Sequence, residues 1–174
     1  MQTTTSGQTY AIDPSHSEVG FAVSHLLISK VRGHFNGFTG TLELGGNGNI
    51  PTAIDGTVQA TSVNTREEKR DGHLRSPDFF DVENFPTITF KSTSITGSGT
   101  EFTAVGNLTI HGTTNSVTLN GEVGGRTTDP WGNDRVAYSV EGKIKRSEFG
   151  LTFGAGMVGD DVKIVLEIQA IPAK

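Results

Sequence analysis

No cysteine occurs anywhere in the 174 residues. That excludes a disulfide framework, a cysteine nucleophile and thiolate metal sites, and it leaves the redox compartment open. No apolar run approaches the roughly 18 residues expected of a membrane-spanning helix. The first eight residues, Met1-Gln2-Thr3-Thr4-Thr5-Ser6-Gly7-Gln8, have neither the basic n-region nor the apolar h-region of a signal peptide. With Met1 as the native start this predicts a cytoplasmic protein, and a leader removed beforehand would make it periplasmic or secreted. A concentrated charge of one sign is missing too. The net charge of −5 is scattered, and the one dense stretch, Arg66 to Asp71, mixes both signs. Nothing resembles the basic patch that a phosphate backbone requires, so nucleic acid is excluded as a partner. No linker, internal repeat or low-complexity block divides the chain. It reads as a flexible polar tail over 1–8 and one domain over 9–174, long enough to bury a core unaided.

What is abundant is glycine and threonine, 23 of each, against two methionines. Threonine favours strands, and glycine favours tight turns and bulges. Apolar residues recur with a period of two, the mark of a half-buried strand. Val19, Phe21 and Val23 share one face, as do Ile54, Gly56, Val58 and Ala60, then Ile88 and Phe90. Phe102, Ala104, Gly106, Leu108 and Ile110 follow, then Val117, Leu119, Gly121 and Val123. Val136, Tyr138, Val140, Gly142 and Ile144 make the next face, and Val162, Ile164, Leu166, Ile168 and Ala170 the last. Turn signals such as Gly97-Ser98-Gly99, His111-Gly112-Thr113 and Asp129-Pro130-Trp131-Gly132-Asn133 separate the runs. The pattern predicts an all-β, up-and-down antiparallel sheet of about eight strands.

One segment breaks the period. Thr65-Arg66-Glu67-Glu68 has the spacing of a capping box and opens a polar run that predicts one short helix over about 66–74, stopped near Pro77. One short helix cannot cover the apolar face of such a sheet. Closure into a barrel hides both that face and the sheet edges. An eight-stranded barrel either packs its interior with side chains or holds one small ligand. Periodicity does not decide between the two. Small inward residues (Gly56, Ala60, Ala104, Gly106, Gly121 and Gly142) leave unfilled volume on one reading and relieve crowding in a bent sheet on the other.

Reactive constellations are scarce. None of the histidines, His16, His25, His34, His73 and His111, sits in a metal-binding pattern, so no metal or other cofactor is expected. Asp13, Ser15 and His16 supply the atom types of a triad, but no G-x-S-x-G elbow occurs. His16, His25 and His111 are expected to satisfy buried hydrogen bonds at strand ends. Asp71, His73, Arg75 and Asp78 are expected to fix the helix to the barrel. Asp160 and Asp161 read as solvated turn residues, and Gly154-Ala155-Gly156 as a hairpin loop. The residues point to binding rather than catalysis.

Several stretches together resemble the YceI-like family of bacterial lipocalin-like proteins. They are Ile12-Asp13-Pro14-Ser15-His16-Ser17 with Val23-Ser24-His25-Leu26, then Val31-Arg32-Gly33-His34-Phe35, then Asp71-Gly72-His73-Leu74-Arg75-Ser76-Pro77-Asp78-Phe79-Phe80-Asp81-Val82. Gly106-Asn107-Leu108-Thr109-Ile110-His111-Gly112 and Arg146-Ser147-Glu148-Phe149-Gly150 follow in the family's order. Tyr10 departs from the family, which commonly has tryptophan there. The resemblance implies a lipocalin-like barrel with a helix near one end, homodimers, and a pore holding a polyprenyl or isoprenoid-quinone tail for transport or storage. The alternative it leaves open is a carrier that sequesters a fatty amide, fatty acid or other amphiphile in a stress response. Such a tube must be dry and apolar, since a buried charge costs more than it returns. The lining is expected from Phe21, Val23, Leu27, Phe35, Phe38, Val58, Ile88, Phe90, Leu108, Ile110, Val140, Phe149, Leu151 and Phe153, each of which also reads as plain barrel core. Phe79 and Phe80 are expected beside the helix at one end.

Overall fold

Strand-forming sequence continues from Gln8 almost to the C-terminus in the computed structural model, which describes residues 7–45 and 48–173. Most of the expected tail and part of the Gly45–Asn49 loop lie outside the described residues, and Gln8 itself opens the first strand. The strand segments are β1 (Gln8–Ile12), β2 (Glu18–His25), β3 (Ser29–Phe35), β4 (Phe38–Leu44), β5 (Pro51–Gln59) and β6 (Val63–Asn64). After the helix α1 (Glu68–Arg75) come β7 (Thr87–Ser98), β8 (Glu101–Ile110), β9 (Thr113–Thr128), β10 (Asp134–Lys145) and β11 (Val158–Pro172).

Eleven segments make eight strands of a closed barrel, because three strands are bent. A 3₁₀ turn at Pro14–His16 separates β1 from β2, and both run antiparallel to β11. Asn36 and Gly37 separate β3 from β4, which pair with β2 and β1. A second turn at Ala60–Ser62 separates β5 from β6. From β7 to β11 each strand pairs with the next, and β11 returns to β1 and β2. The topology is the expected meander, closed so that no long edge stays open.

Two irregularities keep the apolar face inward. The register of β7 against β8 slips between Ser92 and Ser94, so Thr93 is an extra residue. Phe90 and Ile95 stand an odd number of residues apart, yet both pack on the same interior cluster. A second slip, at Gly124 of β9, lies opposite Ala137 and Tyr138 of β10. Inward residues form two clusters along the barrel axis. Tyr10, Leu42, Phe102, Leu119, Tyr138 and Ile168 belong to the one at the base, and Leu108, Ile110, Phe149 and Leu151 form the one near the other end.

Candidate ligand-binding cavity

Between and within these clusters lies a cavity of about 270 Å³, lined by side chains from all eight strands. The alternation places β2 there through Val19, Phe21 and Val23, and β11 through Val162, Ile164, Leu166 and Ile168. Eleven of the fourteen expected lining residues are brought together: Phe21, Val23, Phe35, Phe38, Val58, Ile88, Phe90, Leu108, Ile110, Val140 and Leu151. Three are not. Leu27 is 91 % exposed at the tip of the β2–β3 hairpin, beyond the barrel rim. Phe149 is fully buried behind the lining, in a 3₁₀ turn (Arg146–Phe149) that turns its ring into the cluster with Leu108 and Ile110. Phe153 is 43 % exposed, where it stacks edge-on against Phe79 and His73 outside the tube.

Other lining residues were visible in the alternation without being singled out, among them Ile54, Phe102, Leu119, Tyr138 and Ile144. Leu42 shows the same alternation, sharing its face of β4 with Phe38, Gly40 and Leu44, and was not singled out either. The interior glycines do not leave the voids they suggested. A side chain at Gly121 would meet the Phe102 ring, one at Gly142 would meet Leu119, and one at Gly106 would meet Phe90. Each glycine is the seat of a large neighbour. Gly56 is the exception: a Cβ there would meet nothing closer than the Thr39 carbonyl oxygen at 4.0 Å.

The base is shut by polar side chains outside the apolar plug. Arg126 grips Asp134 with Nε (2.9 Å) and Nη2 (2.5 Å), and Nη2 also donates to the Tyr10 hydroxyl at 2.8 Å. The Tyr10 hydroxyl donates to Asp134 at 2.5 Å, and the Tyr138 hydroxyl donates to the Asn49 carbonyl at 2.6 Å. The guanidinium of Arg126 holds the Asp134 carboxyl below the usual carboxylate range, against burial. Burial pushes the Tyr138 phenol well up, so it stays a neutral donor. Arg135 bridges Asp13 (2.7 Å) and Asp129 (3.0 Å), and its hydrogen bond is the main cause that depresses Asp13.

At the other end the helix covers the opening. Phe79 and Phe80 both line the cavity, and Phe80 meets Phe35 edge-on at 5.7 Å. Helix α1 is held by part of the expected polar network, through Arg75 and Asp71, while His73 and Asp78 pair locally. Arg75 donates to the Thr61 carbonyl at 2.9 Å, and His73 pairs with Asp78 at 2.8 Å. Asp71 is buried and accepts from the Thr65 N–H (2.9 Å) and hydroxyl (2.5 Å). The helix starts two residues later than the spacing predicted, with Glu67 capping through the Arg70 N–H. Thr65 is occupied by Asp71 and so is not free to cap.

One buried charge lines the tube, against expectation; Asp55, the other charged residue on the lining, is exposed. Arg146 is 7 % exposed and donates from Nε to Gly159 O (2.9 Å), from Nη1 to Leu151 O (2.8 Å) and from Nη2 to Val158 O (3.1 Å). These carbonyls replace water, and burial still lowers its pKa from the ordinary arginine value. An arginine has five N–H donors, so two remain without a protein acceptor among the described residues.

The triad atom types do meet, but not as a relay. The Ser15 hydroxyl and Asp13 Oδ2 both approach the same His16 nitrogen, Nδ1, at 3.1 and 2.9 Å, on an exposed turn. A triad needs the base to use two different ring nitrogens. His16 therefore makes its hydrogen bonds at the surface rather than in the interior. His25 is exposed and His111 packs against the Phe85 ring at 4.7 Å. Asp160 and Asp161 lie in β11 rather than in a turn, the first accepting from Ser147 and the second paired with Lys143 and Lys145. Among the described residues no three histidine or acidic side chains converge on a possible metal position, and no helix is long and apolar enough to cross a membrane.

Residues 10–170 match the model of the YceI-like domain. The chain belongs to the YceI-like family. It is 36 % identical over 167 residues to Protein YceI of Salmonella newport, covering 95 % of this chain and 87 % of that one. A crystal structure of the Campylobacter jejuni YCEI protein superposes with a TM-score of 0.76 at 29 % identity, over 87 % of this chain and 90 % of that one. A polyisoprenoid binding domain from Saccharophagus degradans shares the fold, with a TM-score of 0.69 at 16 % identity over 95 % and 99 % of the two chains. The YceI-like barrel is thus the frame on which the cavity sits.

Proposed function

We propose that this protein is a non-catalytic binding protein that holds a long-chain isoprenoid lipid, a polyprenyl or isoprenoid-quinone tail, inside the barrel for transport or storage. The observation that carries this reading is the closed barrel with an almost wholly apolar interior cavity. Each buried CH₂-sized group favours association by about 0.8 kcal/mol, and ordering of the chain offsets much of the sum. The volume is close to the lower end of small-molecule sites, about 300 Å³, and side chains of all eight strands surround it. The polyisoprenoid-binding neighbour supports the same ligand class.

Arg146 favours a second reading. Its two spare donors beside the cavity suit a polar head, as in a fatty amide or fatty acid. Organic extraction of the purified protein followed by mass spectrometry tests both. Hydrocarbon ions spaced by C₅ units are expected. A fatty-acyl ligand would transfer the assignment to the amphiphile reading, and an empty cavity after expression in a lipid-replete host would sink both.

A further inference from the structure

The hairpin between β2 and β3 is built from the wrong residues for a soluble turn. Leu26 and Leu27 both have positive φ, 54° and 61°, and Ile28 N–H closes the turn on the His25 carbonyl at 3.2 Å. Two consecutive left-handed residues at a hairpin tip are the positions that favour Asn-Gly. Leucine there is strained by its Cβ, and water surrounds it as well: Leu27 is 91 % and Ile28 84 % exposed. Backbone and solvation both argue against these side chains, so folding does not account for them.

The tip is not isolated. Leu26 N–H donates to the Met157 carbonyl at 2.7 Å, and Met157 and Phe153 are also half exposed. Leu27 and Met157 border a surface groove that shares Arg146, Leu151 and Val158 with the cavity lining. The groove therefore joins the exposed tip to the cavity wall, through Leu151, Val158 and the charged Arg146. Lys30 is exposed just behind the tip, where an ammonium can stay in water while the tip is buried.

We propose that this hairpin tip, with Met157 beside it, inserts into the surface of a lipid bilayer and brings the mouth of the barrel to the membrane. The occupant follows from size and continuity, and it rests on the reading of the cavity as a lipid site. A stable protein partner needs roughly 20–30 residues a side, far more than these four side chains. A bilayer takes a few protruding apolar groups into its headgroup–acyl boundary, and it is the phase in which an isoprenoid or fatty ligand resides.

The absence of cysteine allows a single environment-sensitive dye to be placed by Leu27→Cys, with Trp131→Cys as control. Trp131 is 79 % exposed in the turn before β10, roughly 40 Å along that strand from Arg146. With phosphatidylcholine vesicles, the dye at position 27 is expected to shift to the blue and the dye at 131 to stay unchanged. The double variant L26N/L27G places the favoured turn residues at the tip. Its vesicle-bound fraction is expected to fall about tenfold, while its melting temperature holds or rises by about 2–4 °C. No vesicle binding, or binding that L26N/L27G leaves intact, overturns the proposal. A blue shift at 27 that appears without vesicles and grows with protein concentration would overturn it in favour of a second copy on the tip. Lipid extraction keeps the two readings apart: a loaded cavity on a protein that ignores vesicles defeats only the docking. An empty cavity on a protein that binds vesicles through the tip defeats only the ligand assignment.

Discussion

Gly121 has no side chain, and the Phe102 ring fills the place where one would stand. The two are directly opposite across β8 and β9, and Phe102 in turn meets Tyr138 edge-on at 5.8 Å. Replacing Gly121 by alanine forces the ring into a filled cluster, so Gly121→Ala is expected to cost about 1–3 kcal/mol in denaturant unfolding. Gly56 is expected to behave oppositely. It stands on the cavity side of β5 with Ile54 and Val58, and the space beside it is open. Gly56→Leu should leave stability within about 1 kcal/mol of the parent while halving or abolishing the lipid recovered by extraction. Unchanged lipid content in a folded G56L protein would place the ligand elsewhere. The alternation along single strands marked both glycines as inward and could not tell them apart. What separates them is the partner across the sheet, and partner and register are properties of two strands together. Arg146 escaped for a related reason: the three carbonyls that accept from it come from a loop and a strand start five to thirteen residues away.

At the scale of elements, α1 is an eight-residue helix with a mainly polar sequence, so packing of an apolar face contributes little to holding it. Its attachment depends on Asp71, which satisfies two donors of Thr65, and on Arg70, which donates to the Thr65 hydroxyl and carbonyl at 2.7 Å each. Asp71→Ala leaves the Thr65 N–H and hydroxyl short of an acceptor in a buried place, at an expected cost of about 2–3 kcal/mol. Adding Thr65→Val should return part of that loss, because one unsatisfied donor is then removed. Additive losses in the double variant would show that the pair does not act as a unit. Hydrogen exchange of residues 68–80 should rise in D71A ahead of the rest of the chain. The existence of the helix was legible from Thr65 to Leu74, and its capping residue was not. Threonine three residues before glutamate fits a capping box only while its hydroxyl is free, and here a residue one helical turn further on claims it. The bends that split three strands were equally hidden, since Pro14 and Gly37 announce a turn without saying that the strand resumes with the same partner.

For the whole molecule, closure and the seal at the base are one question, because the chain's first strand meets its last there. Tyr10 pairs with Pro172 across β1 and β11, and its hydroxyl joins Arg126 and Asp134. Asp13, Asp129 and Asp134 all have carboxyl pKa values lowered in the fold. For Asp13 the first cause is Arg135 and for Asp134 it is Arg126; for Asp129 burial opposes the shift and is outweighed by Asn133 and Arg135. An aspartate in the unfolded chain titrates near about 3.9. A group depressed on folding stabilises the native state fully above that value, and the contribution is lost as pH falls through the lower folded pKa. Urea midpoints are therefore expected to hold between about pH 7 and 5 and to drop below about pH 4. In Asp134→Asn the midpoint at neutral pH should start lower and the acid drop should be shallower. The cavity lining is mainly apolar and its one buried charge, Arg146, remains charged throughout this range, so lipid retention should follow the unfolding curve and not precede it. A midpoint that falls between pH 7 and 5 would assign the titration to groups outside the base seal. Release of lipid from the folded barrel on acidification would show that the mouth, and not the base, is where pH acts.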